Sequence, residues 1–182
     1  QDTHLGPLLT EESAARADEQ VHASIALGAR CLTGGKRAGG SFYEPTVLVD
    51  VTSDMPVMKD EVFGPVAPIC SFKNAQEAVQ MANDSEYGLQ STVFTENVHN
   101  ALNIAHKLEV GGVVINGAGA FRPGNVPFGG SKQSGLGRES IVGTVMEMTE
   151  EKTTVINNAL GPLAGEGATE ADSEVAQVAV AR

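Results

Sequence analysis

Helical and strand patterns alternate along most of this chain. Apolar residues recur at helical spacing from about 11 to 27, and short apolar runs such as Thr46–Val49 and 113–115 separate the helical segments. Strands that alternate with helices are typical of a parallel sheet, because neighbouring parallel strands need a crossover connection. The pattern predicts the α/β class, with a mainly parallel sheet flanked by helices. The fully apolar run at 113–115 predicts a strand buried on both faces.

Capping and turn residues set the predicted ends of several elements. Thr10 precedes two acids in the first turn of the first helix, and Asn74 with Glu77 three residues on resembles a capping box. Pro68 inside the run 66–72 predicts an edge strand or a strand broken there. Further predictions are a helical turn at Pro56–Lys59, a strand at 91–94 and a helix marked by Val98, Leu102, Ala105 and Leu108. A short helix is predicted at 138–146 and a β-branched strand at 152–156.

Charge and composition exclude several classes of protein. The net charge of -11 argues against nucleic acid as a partner, because that affinity needs a cationic surface. No apolar run approaches the ~18 residues of a membrane helix. Cys31 and Cys70 lack metal-site spacing, and the histidines do not cluster with them. We therefore expect no metal, two cysteines within apolar strands, and a reducing, cytoplasmic environment.

Two phosphate-binding motifs fail on the order of their residues. A P-loop requires Lys directly after its last Gly, whereas Ser131 stands between Gly130 and Lys132. The dinucleotide fingerprint requires a third Gly where Arg122 stands, after the Gly-Ala-Gly at 117–119. The glycines of this region are therefore expected to serve close backbone approach and tight turns. The region from Asn116 to Glu139 is a long loop, and such loops are often functional.

Two motifs in order resemble the aldehyde dehydrogenase superfamily. The first is Lys-Asp-Glu-Val-Phe-Gly-Pro-Val at 59–66, and the second is Val-Pro-Phe-Gly-Gly-Ser-Lys-Gln-Ser-Gly-Leu-Gly-Arg-Glu at 126–139. With the segments around them, the resemblance covers about residues 5 to 156. It implies the C-terminal part of the catalytic domain of such an enzyme.

The resemblance implies roles for five residues. Glu61 would accept hydrogen bonds from the nicotinamide-side ribose of NAD or NADP, and Phe63 would pack beside the nicotinamide. Phe128 would form an aromatic wall of the substrate tunnel, with Phe121 as a second. Arg122 is a candidate for holding an anionic group of the aldehyde, because guanidinium pairs with carboxylate or phosphate in a bidentate manner. The open alternative is a loop Arg in solvent or in an internal ion pair.

The family's nucleophilic Cys and general-base Glu normally lie upstream of this region. Neither Cys31 nor Cys70 matches the surroundings of the nucleophile, so we assign no catalytic residue. The prediction is the C-terminal part of an NAD(P)-dependent aldehyde dehydrogenase that oxidises an aldehyde to a carboxylic acid, inactive by itself. The alternative is a catalytically empty structural or partner-binding module. A third interpretation, a small-ligand binding domain, would require Glu61 and Arg122 to bind without the upstream part.

Three regions are predicted along the chain. Residues 1–150 would be part of the catalytic domain, and 151–157 a strand that, in the family, joins an oligomerisation sheet. The parent enzyme would accordingly be a homodimer or homotetramer, and the alternative module would use the same strand. Residues 158–182, rich in Gly, Ala, Pro and acids, are predicted to form a mobile, acidic tail.

Overall fold

A computed structural model describes residues 3–156 of the chain. Its helices are α1 (Glu11–Ala26), α2 (Pro56–Lys59), α3 (Ala75–Asn83), α4 (Val98–Lys107) and α5 (Ile141–Glu147). Its strands are β1 (Arg30–Thr33), β2 (Arg37–Gly39), β3 (Phe42–Tyr43), β4 (Thr46–Val49), β5 (Val66–Pro68), β6 (Tyr87–Gly88), β7 (Gln90–Val93), β8 (Gly112–Ile115) and β9 (Ser131–Lys132). The contacts divide the chain into two units, Gln1–Val145 and Met146–Arg182. The predicted tail at 158–182 lies outside the described residues.

The main core of the first unit lies between α1 and a three-stranded sheet in the order β1-β4-β5. Leu48 of β4 and Val21 of α1 are fully buried, and Tyr43, Met55 and Val57 pack in the same cluster. Burial, with the nearby Asp18 carboxylate as a second cause, raises the pKa of the Tyr43 hydroxyl and keeps it neutral. The central strand therefore depends on α1 for the cover of one face.

Local capping explains where the helices begin, as the sequence predicts. The Thr10 hydroxyl accepts a hydrogen bond from the Ser13 backbone N–H (3.1 Å) at the start of α1. Asn74 accepts one from the Glu77 backbone N–H (3.0 Å), and Glu77 accepts in return from the Lys73 N–H. These bonds satisfy N–H groups that have no partner inside a helix. The arrangement resembles the predicted capping box, except that Glu77 accepts from the residue before the N-cap instead of from the N-cap itself.

The α/β class is confirmed, and the sheets are mixed. Strands β4 and β5 run parallel, as do β7 and β8, and each pair has a helix between its strands in the chain (α2 and α4). The pairs β1–β4, β2–β3 and β6–β9 are antiparallel. The β1–β4 connection contains no helix, so the chain turns back through β2 and β3 instead of crossing over. The sequence did not predict the short strands β2, β3 and β9.

The predicted burial of β8 on both faces is wrong, and α4 is also largely uncovered. In α4 the buried residue is Ala101, whereas Val98 and Leu102 are 63% and 59% exposed. Strand β8 is only partly buried, and Ile115 at its end is 39% exposed. Residues of β8 line an open cleft, so packed layers do not cover both faces of this strand as they cover a strand in a buried parallel sheet.

Two further differences concern segment ends. The run at 66–72 forms a strand only as far as Pro68, which fits the predicted break. The predicted strand at 152–156 is not formed, and Val155 and Ile156 are exposed. An edge strand needs a partner for its backbone groups, and the described part of the chain gives it none. The late helix, α5, begins at Ile141, three residues after the predicted start.

Candidate functional site

Glu61 and Phe63 line one cleft, in the turn between α2 and β5. Gln20 of α1, Pro56 of α2 and Tyr87 of β6 complete much of its lining. The ring of Phe63 is 71% exposed, and Glu61 is exposed. The cleft thus offers a solvated carboxylate, which accepts hydrogen bonds, beside an open aromatic face.

The backbone of Phe63 has a left-handed conformation, with φ of +45°. A residue other than glycine in this region costs on the order of 1 kcal/mol or more. The following turn is fixed by two backbone bonds, from Val66 N–H to the Gly64 carbonyl and from Thr46 N–H to the Pro65 carbonyl (both 2.8 Å). Strand β4 therefore holds the turn that presents the aromatic ring to solvent.

Phe121, Arg122 and Phe128 are brought together in a second cleft. Strand β8 forms one side of this cleft, and Val126 and Pro127 contribute to the other. The guanidinium carbon of Arg122 lies 4.3 Å from the centre of the Phe128 ring, a distance suited to cation–π attraction. The structure does not place these three residues with Glu61 and Phe63, which line the first cleft.

Arg122 pairs with Glu139, a residue that the sequence reasoning did not single out. The backbones of Glu139 and Phe128 also form two hydrogen bonds. The Phe128 N–H donates to the Glu139 carbonyl (2.8 Å), and the Glu139 N–H donates to the Phe128 carbonyl (2.6 Å). The side chains of Arg122 and Glu139 are 49% and 72% exposed, so the ion pair itself adds little stability. The pair matches the alternative of an internal ion pair for Arg122. The presence of an acid, Glu139, at the far end of the loop could have indicated this partner from the sequence.

Glycines allow the loop to lie directly on the strands. The Gly111 N–H donates to the Gly88 carbonyl (2.9 Å). A Cβ on Gly111 would lie 2.7 Å from the carbonyl carbon of Gly129, and closer still to its oxygen. The glycine-rich loop therefore approaches β8 through backbone contact, as expected for glycines without phosphate-motif order.

The cysteines stand apart from both clefts. Cys31 donates through Sγ to the Thr33 carbonyl, and both Cys31 and Cys70 are half-buried. Neither is among the residues that line the two clefts. Within residues 3–156, no group of three or more His, Cys, Asp or Glu side chains is arranged to hold a metal ion. In the same residues, no helix has the length and hydropathy needed to cross a membrane.

The model of the aldehyde dehydrogenase family matches residues 1–154 of this chain. The chain belongs to the aldehyde dehydrogenase family. It is 46% identical over 157 residues to the lactaldehyde dehydrogenase of Methanococcus maripaludis, which covers 86% of this chain and 33% of that protein. The resemblance carried by the two motifs is thereby confirmed.

Solved aldehyde dehydrogenases share the fold. Aldehyde dehydrogenase 21 from Physcomitrella patens, in complex with the reaction product succinate, is 39% identical with a TM-score of 0.82, covering 87% of this chain and 33% of that one. The glyceraldehyde-3-phosphate dehydrogenase GapN of Methanocaldococcus jannaschii, complexed with NADP, is 42% identical with a TM-score of 0.76, covering 80% and 31%. The chain thus spans about a third of the length of its aldehyde dehydrogenase relatives.

Proposed function

We propose that this chain is the C-terminal part of the catalytic domain of a cytoplasmic, homo-oligomeric, NAD(P)-dependent aldehyde dehydrogenase. The parent reaction is the oxidation of an aldehyde with NAD(P)+ and water to a carboxylic acid, NAD(P)H and a proton. The observation that carries the proposal is the convergence of Phe121, Arg122 and Phe128 on one cleft against β8. The length of the chain, about a third of its relatives, supports the view that it is inactive by itself.

The exposure of Glu61 and Phe63 in one cleft supports a role for them in binding a nicotinamide nucleotide, beside Arg16 and the acids Glu19 and Asp60. When bound, the nucleotide supplies the hydride acceptor. The exposed Glu61 carboxylate accepts hydrogen bonds from two neighbouring ribose hydroxyls, and the open ring of Phe63 packs against a flat ring. These two residues bind and orient, and they exchange no proton in the proposed reaction.

The Phe128 cleft provides the substrate wall. Aromatic rings at 121 and 128 exclude water from an aldehyde chain. Arg122 has five N–H donors in all, so it can hold an anionic group of the aldehyde while keeping a contact with Glu139. Two relatives carry anionic molecules in their names, succinate and glyceraldehyde 3-phosphate, whereas lactaldehyde is neutral. Whether the aldehyde is anionic or neutral therefore depends on whether Arg122 binds the substrate in addition to Glu139.

Removing the carboxylate of Glu61 tests the cofactor contact. In the parent enzyme, Glu61→Ala should raise the KM for NAD(P) by about tenfold or more, because charge-assisted hydrogen bonds contribute roughly 1.5–3 kcal/mol. Steady-state kinetics with NAD and with NADP measure the effect, and Glu96→Ala, at another exposed Glu, is the control. Unchanged kinetics with both nucleotides would remove Glu61 from the site.

Removing the guanidinium of Arg122 tests the anion contact. Arg122→Ala should lower kcat/KM for succinic semialdehyde about tenfold more than for lactaldehyde, since only the former loses a charge-assisted bond. The matched control is Arg30→Ala, which removes an exposed Arg paired with Asp50 at 3.2 Å. Equal losses for both aldehydes would show that Arg122 serves its ion pair with Glu139 and not the substrate.

A second candidate function, the catalytically empty partner-binding module, is favoured by the exposed Val155 and Ile156 at the end of the described chain. It predicts that the native polypeptide has about the mass of this chain, 18.9 kDa. Measuring the intact mass of the protein in its source cells distinguishes the two functions. A much larger product containing an upstream nucleophilic Cys supports the dehydrogenase, and a product of this mass supports the module.

A further inference from the structure

Lys132 has an unusual backbone conformation. Its φ is +55°, the left-handed region that favours glycine, although it lies in strand β9 opposite Tyr87. Such a conformation costs on the order of 1 kcal/mol for a residue with a side chain, and it persists only where surrounding contacts determine it. The contacts that hold Lys132 in this conformation are made by its side chain.

The ammonium group of Lys132 reaches two backbone carbonyls and one carboxylate. Nζ donates to the carbonyls of Asn83 (2.5 Å) and Ser85 (3.1 Å), and it lies 3.2 Å from Oε2 of Glu109. The first carbonyl belongs to the last residue of α3, where a cation is favoured by the helix dipole. The Lys132 side chain is only 25% exposed, so this three-way contact is partly shielded from water.

Asn83 ties the same point to the second helix. Its Nδ2 donates to the Lys107 carbonyl (2.8 Å), and its Oδ1 accepts from the Glu109 N–H (2.9 Å). Lys132, Asn83 and Glu109 thus join three segments: the end of α3, the passage from α4 to β8, and the glycine-rich loop. We name these three residues the loop lock.

The loop lock lies four residues from the aromatic wall. Between Phe128 and Lys132, the glycine backbones pack closely against their neighbours. Gly129 contacts Gly111, and a Cβ on Gly130 would lie 2.6 Å from the carbonyl carbon of Ser134. Beyond the lock, the Gln133 N–H donates to the Glu86 carbonyl (2.9 Å). Close backbone packing at Gly129 and Gly130 therefore links the position of Lys132 to the backbone that carries Phe128.

We propose that Lys132 is a positioning residue, which holds the Phe128 wall at its distance from β8 and so sets the fit of the aldehyde. It acts through Asn83 and Glu109 and touches no reacting atom. The role in aldehyde fit rests on the proposed function, whereas the anchoring of the loop does not. No member of the loop lock lines the Glu61 cleft, although Tyr87 of that cleft pairs through its backbone with Lys132, so the aldehyde contact should suffer more than the cofactor contact.

The first experiment measures the anchoring in the 182-residue chain. Lys132→Met keeps the apolar stem and removes the charge, and Lys132→Gly relaxes the left-handed backbone while removing the side chain. Both should speed amide hydrogen exchange at Gln133 and Phe128 at least about tenfold, because the loop then opens locally. Lys107→Met, at an exposed lysine, is the control. Wild-type exchange in Lys132→Gly would overturn the proposal, since the side-chain contacts would then hold nothing.

The second experiment measures the consequence in the parent enzyme. Lys132→Met should raise the KM for the aldehyde about tenfold and the KM for NAD(P) by less, because small misplacements in a binding wall are costly. Lys132→Arg should restore part of the loss, and Asn83→Ala should reproduce it without a change at 132. A loss in stability with an unaltered aldehyde KM would overturn the positioning role. A wild-type parent without aldehyde oxidation would instead refute the proposed function, and the exchange result would still decide the anchoring.

Discussion

Replacing Gly111 with alanine is expected to disrupt the packing of the glycine-rich loop and to destabilise the chain by about 3 kcal/mol or more, at the upper end of the usual loss for overpacking. The added Cβ would overlap the Gly129 carbonyl and lie 3.1 Å from the Leu89 carbonyl oxygen. Both neighbours are backbone atoms, which no side-chain rotation can move aside. Either the loop leaves β8 or the hydrogen bond from Gly111 to Gly88 breaks.

Gly124, in the loop that packs against Gly111, offers a matched control. A Cβ there meets nothing within 4 Å, and its backbone has no left-handed φ. Gly124→Ala should change stability by no more than about 0.5 kcal/mol, as is usual for open surface positions. Urea unfolding followed by far-ultraviolet circular dichroism compares the two variants. Equal midpoints for Gly111→Ala and the wild type would show that the loop does not lie on β8 in solution.

The second large effect is expected in the core. Leu48→Ala should lower the free energy of unfolding by about 2–5 kcal/mol, since it removes a fully buried side chain and leaves a cavity. Leu48 belongs to the central strand β4, between Cys31 of β1 and Pro68 of β5. Removing the Leu48 side chain therefore weakens packing against α1 and both neighbouring strands.

Leu136 is the control for the same chemical change, because its side chain is 100% exposed. Leu136→Ala should shift the urea midpoint little, within about 0.5 kcal/mol. The comparison cancels the intrinsic difference between leucine and alanine and leaves the burial term. A midpoint for Leu48→Ala as high as that of Leu136→Ala would place the core somewhere other than between α1 and the three-stranded sheet.

Features determined by near neighbours were predictable from the sequence. The caps at Thr10 and Asn74 bond residues three positions away, so the helices begin where their residues indicate. Burial was less predictable, because the apolar spacing of α4 identifies a stripe without identifying what covers it. Val98 and Leu102 belong to the apolar spacing that predicts α4, and yet both are more than half exposed.

The candidate site shows the same division. Glu61, Phe63 and the aromatic wall were named from motifs whose residues are adjacent in the chain. The left-handed backbone of Phe63 and the pairing of Arg122 with Glu139 depend on the path of turns and loops, which no local pattern encodes. The contact of Lys132 with Asn83 spans 49 positions and involves a backbone carbonyl, which every residue carries. The residue types along the chain therefore could not predict this contact.

The exposed apolar side chains on and just before α4 have a practical consequence for anyone who handles this polypeptide. Phe94, Val98 and Leu102 are each more than half exposed, and large exposed apolar side chains favour association in water. We expect the purified chain to adsorb to hydrophobic resins, to bind the dye ANS, and to engage holdase chaperones during production. Light scattering across a dilution series would set the concentration below which measurements report on single molecules.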